Sequence, residues 1–122
     1  MRSLADTIAR LAALRSQQGA ADYSSGLSRL QCLSDFGSNP GALKARTYIP
    51  ENILESAPLV VVLHGCLQTA AAYDHGSGWS TLADQEGFAL LYPEQQRTNN
   101  PNLCFNSFKP DDTRRGGGEA LS

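Results

Sequence analysis

Pro58-Leu59-Val60-Val61-Val62-Leu63-His64-Gly65-Cys66-Leu67-Gln68 sets the architecture of this chain. All three valines of the sequence fall inside it. A continuous aliphatic run entered at a proline and left at a glycine predicts a strand buried on both faces. Such strands belong to parallel sheets covered by helices, so the expected class is α/β. Beyond the run, Thr69 is placed to cap a helical segment over Ala70 to Tyr73.

Working outward, Trp79, Leu82 and Ala83 recur at helical spacing and Gly87 follows as a stop, which predicts a helix over residues 78 to 86. Phe88-Ala89-Leu90-Leu91-Tyr92 is a second apolar run, expected to end at Pro93. Residues 59 to 92 then have the length of one βαβ unit. Upstream, Leu43, Ala45, Thr47 and Ile49 alternate with Lys44, Arg46 and Tyr48, the pattern of a half-buried strand ended by Pro50. Residues 16 to 42 have no period and carry many Gly, Ser and Asn, so they read as linker and turns. Residues 3 to 16 read as a helix with Leu4, Ile8, Leu11 and Ala12 on one stripe. Residues 94 to 112 are expected to be a long polar loop, of a length that is uncommon unless functional. Arg114 to Ser122, with its three glycines Gly116, Gly117 and Gly118, reads as the entrance to another helix. The domain organisation expected is an N-terminal helix and linker over residues 1 to 34 and the α/β unit over residues 35 to 122.

Composition narrows the function classes. The 122 residues carry 10 Lys and Arg against 12 Asp and Glu, a formal net charge of −2, with no basic run. Nucleic acid and anionic membranes are therefore not expected partners. No unbroken apolar run exceeds five residues, so no transmembrane helix is expected. Asp6, Arg10 and Arg15 interrupt any stretch that could act as a secretory signal, and acidic Asp6 also counts against a mitochondrial targeting helix. Three cysteines, Cys32, Cys66 and Cys104, are too few for a disulfide scaffold but enough for one bridge and one thiol.

The chemistry concentrates after the valine strand. A buried strand followed at once by His64-Gly65 and then a helix is how acyl-transfer enzymes build half of an oxyanion hole. Glycine permits the sharp turn, and the next residues aim backbone N–H groups at the reacting carbonyl.

Several separated stretches also resemble one family. They are Phe36-Gly37-Ser38-Asn39-Pro40-Gly41, Val61 to Gln68, Tyr73-Asp74-His75-Gly76-Ser77-Gly78-Trp79, Leu91 to Gln96, Asn99 to Asn106, and Arg115 to Ser122. In this order they resemble the esterases of the polyhydroxybutyrate (PHB) depolymerase family, α/β-hydrolases that cut carboxylic esters with a Ser-Asp-His triad. The resemblance implies the N-terminal part of an α/β-hydrolase fold, with a mostly parallel sheet. It implies that the Cys66 backbone N–H lies in the oxyanion hole and that His64, Gly65 and Gln68 shape that loop. It implies an ester or polyester substrate, no cofactor and no metal. Hydroxyalkanoate polyesters or related short-chain esters are expected, with feruloyl and acetyl esters left open. The family is commonly extracellular; with no export signal in view, the cytoplasm is the alternative. In the family's Cys-Phe-Asn-Trp-Phe segment, this chain has Ser107 in place of the tryptophan.

The nucleophile elbow Gly-x-Ser-x-Gly does not occur in these 122 residues. Both histidines precede the position a triad histidine would take. The expectation is thus an esterase segment ahead of its nucleophile, hydrolysing esters poorly or not at all by itself. The alternative is a non-catalytic remnant, or half of a split enzyme that needs a second chain, with an exposed sheet edge prone to self-association.

Other readings of the same residues are weaker. Cys66 could be a thiolate with His75 as its base. It could instead pair with Cys104 in a disulfide across the pocket mouth. His64, Cys66, His75 and Cys104 offer zinc donor types without zinc spacing. Asp111-Asp112 and Arg114-Arg115 read as solvated charge, and Trp79 and Phe88 as core.

Overall fold

The computed structural model describes residues 28–122. The helix expected over residues 3 to 16 lies outside the described residues. A four-stranded sheet forms the centre, with β1 Gln31–Leu33, β2 Lys44–Tyr48, β3 Leu59–Val61 and β4 Ala89–Glu94. Its spatial order is β1-β2-β4-β3. Helices α1 Ala70–Ser77 and α2 Trp79–Glu86 connect β3 to β4, and short helices α3 Pro110–Thr113 and α4 Gly118–Leu121 follow.

The βαβ unit is present: β3 and β4 are parallel, with Leu59 opposite Ala89 and Val61 opposite Leu91. The other two pairings are antiparallel, Ala45 facing Pro93 and Cys32 facing Arg46. The described sheet is therefore mixed, which corrects the expectation of a mostly parallel one. β1 lies within the stretch expected to be only linker and turns. Three residues with no alternating apolar pattern leave no strand signature; pairing with β2 creates this strand.

α1 begins where Thr69 was expected to cap it, and the Thr69 hydroxyl accepts from the Ala72 N–H at 3.2 Å. Gly78, at φ 78°, ends α1 and begins α2. Only a residue free to adopt this left-handed conformation allows one helix to turn directly into the next. The two helices cover one sheet face. There Val62, Ala70, Ala83, Phe88, Leu90 and Tyr92 form the buried core, with Trp79 packed on its edge. Trp79 meets Phe88 edge-on, with ring centroids 6.2 Å apart. Asp74 is buried beneath this layer and accepts from Ser80 N–H, Ser80 hydroxyl and Tyr92 hydroxyl at 2.7 to 2.8 Å.

The other face corrects the main expectation. Leu59, Val61 and Leu63 are 60%, 54% and 56% exposed, so the valine strand is buried on one face only. β3 is an edge strand, and no described element covers its outer face. The residues leading from β2 differ from expectation too. Leu43 and Ala45 are buried, but Ile49 is exposed, and Tyr48 on the alternate face packs against the core. β4 runs through Pro93 instead of ending there. Pairing with β3 stops at Leu91, so beyond it one side of the β4 backbone is free of a strand partner and tolerates the missing N–H. Asp111 and Asp112 lie in the first turn of α3, and the Asp112 carboxylate, read as solvated charge, accepts from Glu119 N–H at 3.2 Å.

Candidate active-site turn

The turn after β3 is built from Gly65 to Gln68. Gln68 N–H donates to the Gly65 carbonyl at 3.2 Å, closing a four-residue turn. Leu67, its third residue, has φ 62°, the left-handed value of a type II turn. Gly65 N–H donates to the Gln68 side-chain oxygen at 2.6 Å. A Cβ at Gly65 would stand 2.8 Å from that oxygen, so glycine is what lets Gln68 fold back. Leu67 N–H donates to the Asn102 carbonyl at 2.8 Å. Three amides of the turn are thus occupied. Among the described residues no acceptor meets the fourth, the Cys66 N–H, and Cys66 is exposed.

His64 fixes the turn from beneath. It is buried, and its Nε2 accepts from Gln95 N–H at 3.0 Å. Its Nδ1 lies 2.7 Å from the Gly65 carbonyl, which can only accept. The ring therefore carries its proton on Nδ1, and both nitrogens are occupied. His64 is a structural ring here, not a base. Phe105 packs on it with centroids 5.0 Å apart.

A disulfide joins Cys66 to Cys104. It ties the turn to the loop after β4 and leaves neither sulfur to act as thiolate or metal ligand. The Cys66-thiolate reading with His75, and the four-residue zinc reading, fall with it. Among the described residues no group of three or more His, Cys, Asp or Glu is placed to hold a metal. Cys32 is the exposed free thiol.

The loop itself is held by a buried polar network that sequence reasoning missed. Gln95 is buried; its side-chain N–H donates to the Cys104 carbonyl at 3.1 Å and to Glu119 at 2.5 Å. Glu119 also accepts from the Asn106 backbone and side chain, at 2.7 and 2.9 Å. Asn100 donates to Asn106 at 3.1 Å and accepts from Cys104 N–H at 3.3 Å. The available signal was the density of Asn and Gln between Gln95 and Asn106, too many fixed amides for a loop that is merely solvated.

A second polar cluster lies elsewhere. Arg29 stacks over Tyr48 and pairs with Asp84, which also accepts from the Tyr48 hydroxyl at 2.6 Å. Hydrogen bonds from Arg29 and Tyr48 hold the Asp84 carboxyl below the usual carboxylate range. A cavity of about 400 Å³ opens beside this cluster, and none of residues 64 to 68 line it. Burial and the bond to Asp74 push the Tyr92 hydroxyl above the usual phenol range.

The family model for esterase PHB depolymerase matches residues 43–122. Poly(3-hydroxyalkanoate) depolymerase C of Paucimonas lemoignei is 52% identical over 99 residues, covering 81% of this chain and 24% of that protein. Acetylxylan esterase A of Aspergillus oryzae is 35% identical over 94 residues, covering 76% of this chain and 30% of its own length. Feruloyl esterase B of Neurospora crassa is 36% identical over 93 residues, 75% of this chain and 31% of that one. A solved acetyl xylan esterase from Aspergillus awamori aligns with TM-score 0.49 and 38% identity over 52% of this chain and 23% of that one. The chain spans about a quarter to a third of the length of the curated relatives it matches. On the family match and the 52% identical depolymerase, the chain belongs to the PHB depolymerase family of esterases.

Proposed function

We propose that this chain is the oxyanion-hole segment of a serine carboxylesterase with an α/β-hydrolase fold, whose nucleophile lies outside these 122 residues. The carrying observation is at Cys66: the residue is exposed, and its N–H meets no acceptor among the described residues, in a turn whose other N–H groups are occupied. In the reaction, a serine oxygen attacks the ester carbonyl carbon and the carbonyl π pair moves to oxygen. The Cys66 N–H, held still by His64, the disulfide and Asn102, donates to that oxyanion. Collapse expels the alcohol, and water releases the acid. One such fixed donor contributes roughly 3 to 4 kcal/mol to the transition state.

The substrate favoured is a hydroxyalkanoate polyester or a related short-chain ester, since a poly(3-hydroxyalkanoate) depolymerase is among the relatives and shares 52% identity. Acetyl and feruloyl esters are the alternatives that the other relatives suggest. We place the enzyme outside the cytosol, because a disulfide at the active-site turn persists only in an oxidising compartment.

Assay of the full-length enzyme with p-nitrophenyl butyrate tests this reading. Turnover abolished by a serine-directed phosphonate is expected, while the 122-residue chain alone should not exceed the buffer rate. Phosphonate-sensitive turnover by the 122-residue chain would contradict the assignment of the nucleophile, and no turnover by the full-length enzyme would contradict the esterase reading.

A further inference from the structure

Leucines in left-handed backbone flank the bridge at the candidate active-site turn. Leu67, at φ 62°, follows Cys66, and Leu103, at φ 54°, precedes Cys104. Side-chain-bearing residues are strained there, whereas glycine is not. Leu67 gains nothing from the described fold in return: its side chain is 67% exposed. Its backbone cannot relax, because its N–H is bound to Asn102 and its neighbour is bridged to Cys104. Strain held in place, an apolar side chain left in solvent and, one residue earlier, the Cys66 amide that meets no acceptor among the described residues coincide within two residues.

We propose that Leu67 is a specificity-determining residue that forms an apolar wall for the acyl chain of the ester, with Leu103 on the other flank of the bridge. This rests on the oxyanion role of Cys66. A carbonyl oxygen seated on that amide brings the acyl carbons next to the following side chain. The ligand class is an ester of an aliphatic acid longer than acetate; acetate is too short to use the wall.

The test is kcat/KM for p-nitrophenyl butyrate and acetate on the full-length enzyme, its Leu67→Gly and Leu67→Ala variants, and Leu67→Met as a rescue. Leu67→Gly removes the side chain and the strain together, so its Tm should hold or rise. The butyrate-to-acetate ratio should fall about tenfold in the Gly and Ala variants and return in Met, the low end of the scale for contact with one methylene. A ratio within twofold of wild type in both variants, or equal losses on the two esters, would overturn the proposal. A wild-type enzyme that cleaves neither ester would instead overturn the esterase reading, and this inference with it.

Discussion

His64 shows how a single ring holds a turn in place through both of its nitrogens. Its Nε2 is the acceptor for the buried Gln95 N–H, and its Nδ1–H serves the Gly65 carbonyl. Replacing it with Phe keeps the volume and removes the acceptor. The stranded N–H should destabilise the fold by about 1–3 kcal/mol. Urea denaturation of His64→Phe measures this, and an unchanged midpoint would show that the bond contributes nothing. The motif His64-Gly65-Cys66 was legible in the sequence because a strand-to-turn junction needs glycine and leaves no other place for the histidine. The partners were not. A backbone N–H of Gln95 bonding a ring 31 residues earlier leaves no mark in the residue pattern. The same holds for Glu119, whose carboxylate gathers Gln95 and Asn106 only after the loop has closed.

At the scale of elements, helix signals were the clearest. Thr69 and Gly87 were legible because capping and left-handed stops are local chemistry, whereas Gly78, expected inside the second helix, is the stop between α1 and α2. Strand burial was read wrongly, since an apolar run reports what a strand can bury and not what covers it. Leu59, Val61 and Leu63 have the composition of a fully buried strand, yet they face away from both helices. Between elements, Asp84 of α2 ties that helix to β2 through Tyr48 and to Arg29. Its carboxyl is held below the usual range by hydrogen bonds from Arg29 and then Tyr48. A depressed folded-state value means the contribution is present above the ordinary carboxylate pKa, about 4, and is lost as pH falls through the lowered value. Asp84→Asn should therefore be less stable than wild type at pH 7, with the gap closing below about pH 4. Equal urea midpoints at pH 7, or a gap that persists at low pH, would refute the linkage. Both partners are substantially exposed, so the effect is small.

At the scale of the whole molecule, the face of β3 that no described element covers sets the behaviour of the chain. An edge strand with Leu59 and Val61 exposed on one side, and Leu63 exposed just after it, is a template for further pairing and for apolar contact. The 122-residue chain by itself should self-associate at micromolar concentration, and Val61→Lys should return it to the monomer. Light scattering coupled to size exclusion decides this; a monodisperse wild-type monomer would show that the face is satisfied within the chain. The Cys66 amide, which meets no acceptor among the described residues, carries the functional proposal, and one pair of variants isolates it. Cys66→Ala and Cys66→Pro both break the bridge to Cys104, but only proline removes the N–H, and proline suits the second position of this turn. In the full-length enzyme, kcat for p-nitrophenyl butyrate should be about 100- to 1000-fold lower in Cys66→Pro than in Cys66→Ala. Equal rates in the two variants would contradict the oxyanion role of this turn.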